Sequence, residues 1–202
     1  MISAIDRQIT FFIFSTFPHL PIFDSVFRTL SLEGATAVIW ALIVALVFVW
    51  EFYVRNNKFV FLAQLGKLCF ALAFTIAISA GAVHYVLKPV FQRTRPYIQY
   101  NVSAPYCPND YSFPSGHATV AFAGVYILSK FDHDRRRKVI YAIIAISVSF
   151  SRIYLLCHYV GDIAAGAIFG LAVAFVGYEG VHLLYQVYHK HHDMNRTVHP
   201  RA

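Results

Sequence analysis

The sequence predicts an all-α integral membrane protein, a bundle of five to six transmembrane helices whose N-terminal helix is either interfacial or the sixth span. Three observations predict it. The chain of 202 residues is 58% hydrophobic and only 13% charged, too apolar for a soluble domain with a polar surface. Its apolar residues gather into runs close to the ~20 residues that cross a hydrocarbon layer. Its charges fall mostly between those runs, in the short clusters that fix membrane orientation.

Within 2–17, Ile2, Ile5, Ile9, Phe12 and Ile13 recur at helical spacing while Asp6, Arg7 and Gln8 interrupt them, a pattern for a helix lying in the interface. Pro18 and Pro21 end that helix, and 23–32 form a second interfacial piece. The spans follow at 35–54, about 68–87, 115–130, 139–156 and 162–185. The third is short and starts with polar His117 and Thr119, so its beginning should face protein or water. Gly166 and Gly170 set a GxxxG spacing for close helix packing on the last span. The whole reads as one membrane-embedded domain over 1–202, with an N-terminal segment at 1–34, a helical core at 35–185 and a cytoplasmic tail at 186–202. The tail histidines His189, His191 and His192 read as a solvated, unstructured end rather than a metal site.

By helix parity Arg55 and Lys58, the run Arg135, Arg136, Arg137, Lys138, and the tail cations Lys190, Arg196 and Arg201 share one side, which the positive-inside rule makes cytoplasmic. Segments 88–114 and 157–161 then lie on the extracytoplasmic side of a cytoplasmic membrane. The net charge of +7 is spent in these loops rather than along one face, which excludes a nucleic-acid partner. Cys69, Cys107 and Cys157 suggest no paired framework, so the redox compartment stays open. No cleaved signal peptide is expected.

Three polar clusters converge at the extracytoplasmic helix ends, where desolvation makes an unneeded charge expensive. Arg152 lies about 21 Å beyond Lys138 at ~1.5 Å per residue, inside a hydrocarbon layer roughly 30 Å thick. Taken singly, Lys88 could snorkel, Arg95 could be solvated and Arg152 could reach the nearer interface. Pro114, Ser115 and Gly116 open a helix whose free N–H groups and dipole suit an anion such as phosphate. His158 and Asp162, four apart, would share a helix face, the carboxylate fixing the imidazole tautomer and freeing the other nitrogen as a nucleophile. Arg93 could contact a second phosphate but reads first as a solvated loop residue, and His84, Glu179 and His182 read as groups that pair internally or reach the interface.

Together, Lys88-x6-Arg95-Pro96, Pro114-Ser115-Gly116-His117 and Ser151-Arg152-x5-His158-x3-Asp162 resemble the three motifs of the type 2 phosphatidic acid phosphatase superfamily, in order and without a substituted position. The resemblance spans 88–162. It implies that Lys88, Arg95 and Arg152 bind phosphate oxygens with Ser115 and the Gly116 backbone. It further implies that His158 attacks phosphorus, Asp162 orients His158, and His117 protonates the leaving oxygen and then activates water. The partners it implies are the bilayer and a phosphorylated lipid such as undecaprenyl pyrophosphate, phosphatidylglycerol phosphate, phosphatidic acid or a lipid A phosphate. No metal or other cofactor is expected, since the cations can neutralise the transferred phosphoryl group. The alternatives are a phosphotransferase that passes the phosphate to a second lipid and a non-catalytic lipid-binding or transport protein. Oligomeric state stays open.

Overall fold

The computed structural model describes residues 4–54 and 58–198, with 58–61, 63 and 181–198 described by backbone alone. Arg55 and Arg201 therefore lie outside the described residues, as do the side chains of Lys58, His182, His189, Lys190, His191, His192 and Arg196. The regular structure among the described residues is all helical, with no strand.

Two short helices, α1 (Ala4–Thr16) and α2 (Pro21–Leu30), precede the bundle. Thirteen residues make α1 about 20 Å long, short of a span, and it lays Ile5, Ile9 and Phe12 outward while burying Thr10. Pro21 does not end a helix; it opens α2 at the first turn, where its missing N–H is no loss.

The long helices are α3 (Ala35–Val54), α4 (Lys58–Gly81), α7 (Gly116–Phe131), α8 (Arg135–Tyr154) and α9 (Val160–Val198). A π-helical turn (Ala82–Leu87) and the short α5 (Lys88–Phe91) prolong α4, and α6 (Pro96–Gln99) follows. Among the described residues, three helical stretches are long and apolar enough to cross a membrane by themselves: Ala35–Val54, Gln64–Gln99 and Val160–Gly180. With these the chain is an integral membrane protein.

Although both are expected as spans, α7 has only 16 residues and α8 is less apolar, and the bundle explains how they are accommodated. Helix α7 sits at its centre, packed on α9, α8, α4 and α3, so Thr119 is buried by protein rather than lipid. Trp40 of α3 covers Gly124 of α7 and donates to the Val120 carbonyl at 3.3 Å. The GxxxG pair sets the approach of α9: a β-carbon at Gly166 would stand 2.5 Å from the Ser115 carbonyl oxygen, and one at Gly170 would overlap the Thr119 carbonyl. Helix α9 runs on through the expected unstructured tail, there being neither glycine nor proline between Gly180 and Pro200.

Candidate active site

The first motif is placed by an irregular helix end. Pro89 cannot donate, and its ring would press on the carbonyl four residues back in a regular α-helix; the wider π turn at Ala82–Leu87 leaves that carbonyl room. Lys88 is thereby buried on the inner face, and Gln92 in the left-handed region (φ 47°) ends α5 and turns the chain toward Arg93 and Arg95.

The third motif begins with a Schellman turn. Cys157 N–H donates to the Arg152 carbonyl at 2.9 Å and Leu156 N–H to Ile153 at 2.9 Å, with Leu156 at φ 57°. A glycine usually takes that conformation; here a fully buried leucine does, its carbonyl accepting the Tyr97 N–H at 3.1 Å. The Arg152 carbonyl also takes the His158 N–H at 3.2 Å, so the arginine and the histidine are fixed to each other through the backbone.

His158 is not on a helix. It lies just before α9, and Asp162 lies in the first turn of α9, accepting the Tyr159 N–H at 2.9 Å as in a capping box. Asp162 Oδ2 is 3.5 Å from His158 Nδ1, and Ser112 Oγ donates to that oxygen while lying 3.5 Å from the same ring nitrogen. On the other side Arg95 Nη1 stands 3.1 Å from His158 Nε2. A guanidinium can only donate, so Nε2 carries the lone pair and Nδ1 the proton, facing the carboxylate. Burial, then the charges of Arg95, Arg152 and Lys88, hold the imidazole well below its usual pKa, so it stays neutral.

Ser115 caps α7, its Oγ accepting the Ala118 N–H at 3.4 Å, and its own N–H donates to the Asp162 carbonyl at 3.1 Å. The second motif is thus fastened to the third. Gly116 and His117 form the first turn of α7, and His117 Nε2 donates to the Leu32 carbonyl at 3.1 Å.

A cavity of about 520 Å³ is lined by Lys88, Arg95, Gly116, His117, Arg152 and His158, while Asp162 and Ser115 stand behind it, fully buried. Its cations differ in what they already hold. All five Arg95 N–H groups bond to protein: Nε to the Asp110 carbonyl at 2.8 Å, Nη1 to Cys157 at 2.8 Å and to His158, Nη2 to the Asp110 carboxylate and to Tyr111 at 3.3 Å. Lys88 donates to the same Asp110 carboxylate. Arg152, wholly buried, spends Nη1 on the Ser31 carbonyl at 2.9 Å and leaves Nε and Nη2 without a partner among the described residues. Burial pushes the Asp110 carboxyl up, but hydrogen bonding from Lys88 and the Arg95 charge outweigh it and bring its pKa to about 2.

Several of these residues are not foreseen by sequence. Arg93 is no solvated loop residue: its side chain is 10% exposed, pairs with both Asp6 and Asp162, and lies 4.0 Å from the Tyr159 ring centroid. Its place two residues before Arg95 on an apolar-flanked segment was the available signal. Asp110, Ser112, Asp6 and the Ser31 and Leu32 carbonyls carry no local pattern. Cys107 and Cys157 do form a disulfide, tying the loop with Asp110 to the residue before His158. Fifty positions apart, they become neighbours only when motifs one and three meet. Of the other polar residues, Glu179 pairs with Lys130 at 2.5 Å, and His84 Nδ1 lies 4.0 Å from Asp110.

A family model described as the PAP2 superfamily matches residues 64–186. The chain is 33% identical over 107 residues to the undecaprenyl-diphosphatase of Sulfolobus acidocaldarius, covering 52% of this chain and 50% of that protein. It is also 33% identical over 112 residues to the lipid A 4'-phosphatase of Bacteroides thetaiotaomicron, covering 51% and 50%. The chain thus spans about half the length of these two curated relatives. Its fold is similar to the crystal structure of a transmembrane PAP2 type phosphatidylglycerolphosphate phosphatase from Bacillus subtilis, with a TM-score of 0.62 at 21% identity over 90% of this chain and 86% of that one. The matched region takes in every motif residue around the cavity and more than half of the sequence, and the chain belongs to the PAP2 superfamily.

Proposed function

We propose that the protein hydrolyses a phosphate ester or pyrophosphate borne by a membrane lipid, through a phosphohistidine on His158. The observation that carries this reading is Arg152, a buried cation with two unpartnered donors beside a neutral imidazole whose Nε2 bears the lone pair. A buried donor left without an acceptor is costly, so the pair of donors is matched to an anion. Phosphate oxygens would take Arg152 Nε and Nη2, the Gly116 and His117 backbone N–H groups and Lys88. A methyl at Gly116 would meet only Val83 at 3.8 Å, so packing does not demand glycine there, and close approach of a ligand accounts for it.

His158 Nε2 forms a bond to phosphorus as the phosphorus–oxygen bond to the lipid breaks, and the leaving oxygen takes a proton from Nδ1 of His117, which enters the step as the imidazolium favoured by the bound phosphate charge while its Nε2–H stays on the Leu32 carbonyl. Arg95 Nη1 must release the Nε2 lone pair for this step. Asp162, oriented by the Tyr159 N–H and Ser112, stabilises the cationic ring that forms. Water, losing a proton to His117, then attacks phosphorus, the phosphorus–nitrogen bond breaks, and neutral His158 and phosphate result. Cradle cations and backbone donors supply the charge neutralisation that phosphoryl transfer needs.

Apart from Ile76, the cavity wall on α3 and α4 is built of small residues, Thr36, Ala37, Ala77, Ala80 and Gly81, which leaves width for a lipid beside the head group. The relatives named undecaprenyl-diphosphatase and lipid A 4'-phosphatase support a lipid-borne phosphate. The site faces outward from a cytoplasmic membrane. The basic run at Arg135 lies at the opposite helix ends, and the Cys107–Cys157 bond suits an oxidising compartment. Purified protein given undecaprenyl pyrophosphate, phosphatidylglycerol phosphate, phosphatidic acid and lipid A is expected to release phosphate from at least one; release from none sinks the reading. Transfer of labelled phosphate to a second lipid in place of release would convert the assignment to a phosphotransferase.

A further inference from the structure

The first helix reaches the nucleophile through two ion pairs. Asp6 Oδ2 accepts from Arg93 Nη2 at 2.5 Å, and Arg93 Nη1 donates to Asp162 Oδ1, so one largely covered guanidinium is shared between two carboxylates. The other Asp162 oxygen is the one that faces the Nδ1–H of His158. Asp6 Oδ1 also takes the Gly161 N–H at 2.8 Å, and Thr10 Oγ takes the Val160 N–H at 3.1 Å. Helix α1 thus caps the start of α9 from outside, and Asp162 stands on the very next residue. A β-carbon at Gly161 would lie 2.7 Å from Asp6 Oδ2, so glycine permits this approach.

We propose that Asp6 is a positioning residue for the nucleophile, sharing Arg93 with Asp162 so that Asp162 keeps enough negative charge to polarise His158. The inference rests on the phosphohistidine reading above. Without the Asp6 charge, Arg93 would be neutralised by Asp162 alone. Asp162 would then be a weaker acceptor for the Nδ1–H, and the imidazole a weaker nucleophile. Asp6 touches neither substrate nor phosphorus in this scheme. Its effect falls on the rate of the chemical step and not on the binding of the lipid, whose anion is held by Arg152, Lys88 and the α7 N-terminus. The N-terminal interfacial helix thereby joins the catalytic arrangement rather than serving only as an anchor.

The test uses the full chain in detergent and whichever lipid of the panel the wild type hydrolyses. Asp6→Asn, which retains an acceptor for Gly161 but loses the charge, is expected to lower kcat about tenfold with KM within about twofold. Asp6→Glu should recover most of the loss. In an Arg93→Gln background Asp6→Asn should have little further effect, because its influence passes through Arg93. Thr10→Val removes the neighbouring cap and no charge, and is expected to leave kcat within about twofold, since a single neutral hydrogen bond contributes little and carries no field to the imidazole. An unchanged kcat in Asp6→Asn, full additivity with Arg93→Gln, or a Thr10→Val loss as large as that of Asp6→Asn overturns the proposal while leaving the phosphatase reading intact. A wild type that releases no phosphate removes that reading and this inference with it.

Discussion

The two ends of the helical bundle carry similar charges and use them differently. At the basic end, Arg137 binds Asp132 through Nε at 2.7 Å and Nη2 at 2.8 Å and Glu51 through Nη1 at 3.0 Å, and Tyr141 donates to Asp132 at 2.6 Å. A cavity of about 430 Å³ lies there too. At the motif end the cavity is comparable, about 520 Å³, but Arg152 enters it with two donors that no protein group takes among the described residues. Cavity size and charge count therefore do not separate a structural cluster from a binding site. Saturation does: Arg137 is matched by carboxylates from its own end of the bundle, whereas Arg152 is matched by one carbonyl among the described residues, which on the proposed reading leaves two donors for an anion.

That contrast is sharpest in paired substitutions. Arg152→Lys keeps the charge but loses the planar fork, and should lower kcat/KM about a hundredfold. Arg137→Lys makes the same chemical change at the opposite end; it should cost about 1 kcal/mol of stability and leave activity within about twofold. Equal losses of activity would break the distinction. A smaller effect concerns acid. The folded His158 pKa lies below the ordinary imidazole value, so the ring is neutral and nucleophilic above that lowered pKa and is lost as an acceptor only when pH falls through it. The plateau of kcat should thus persist as pH drops through about 6.5, the free imidazole value. An acid limb at that value that persists in His117→Asn, and so belongs to His158, would mean that burial and the Arg95, Arg152 and Lys88 charges do not hold the ring down.

The two ends should also differ in compartment, with no effect on rate. A cysteine replacing Asn109, in a Cys69→Ser background, should react with a membrane-impermeant thiol reagent in intact cells, and one replacing Asp134 should not. Cys107 should react only after reduction, being paired with Cys157. The reverse pattern would invert the orientation.

The motif end was largely legible in the sequence because its residues recur at fixed spacings on elements that begin or end beside them. Lys88, His117, Arg152 and His158 all line one cavity, as their convergence on one side implied. Arg95 was legible in place and less so in bonding, since the Asp110 carboxylate and the backbone carbonyls that saturate it come from a loop without periodicity. Helix sharing misplaced His158: an i,i+4 spacing brings it to Asp162, but across a helix start instead of along a helix. Asp6 read as an interruption of an amphipathic pattern, and only the fold shows that the interruption points at Arg93. The Cys107–Cys157 pair and the Leu32 contact to His117 were hidden for the same reason, being long-range consequences of packing with no local signature.

The central claim is that His158 forms a bond to phosphorus, and trapping that bond tests it most directly. Protein mixed with a lipid labelled in the phosphate and quenched within one turnover should carry label that survives alkali, is lost in acid, and maps to His158. His158→Ala should trap none and retain less than about 1% of turnover, since removal of a nucleophile leaves only the cradle's stabilisation. Label on any other residue, or steady turnover by His158→Ala near the wild-type rate, would contradict the account.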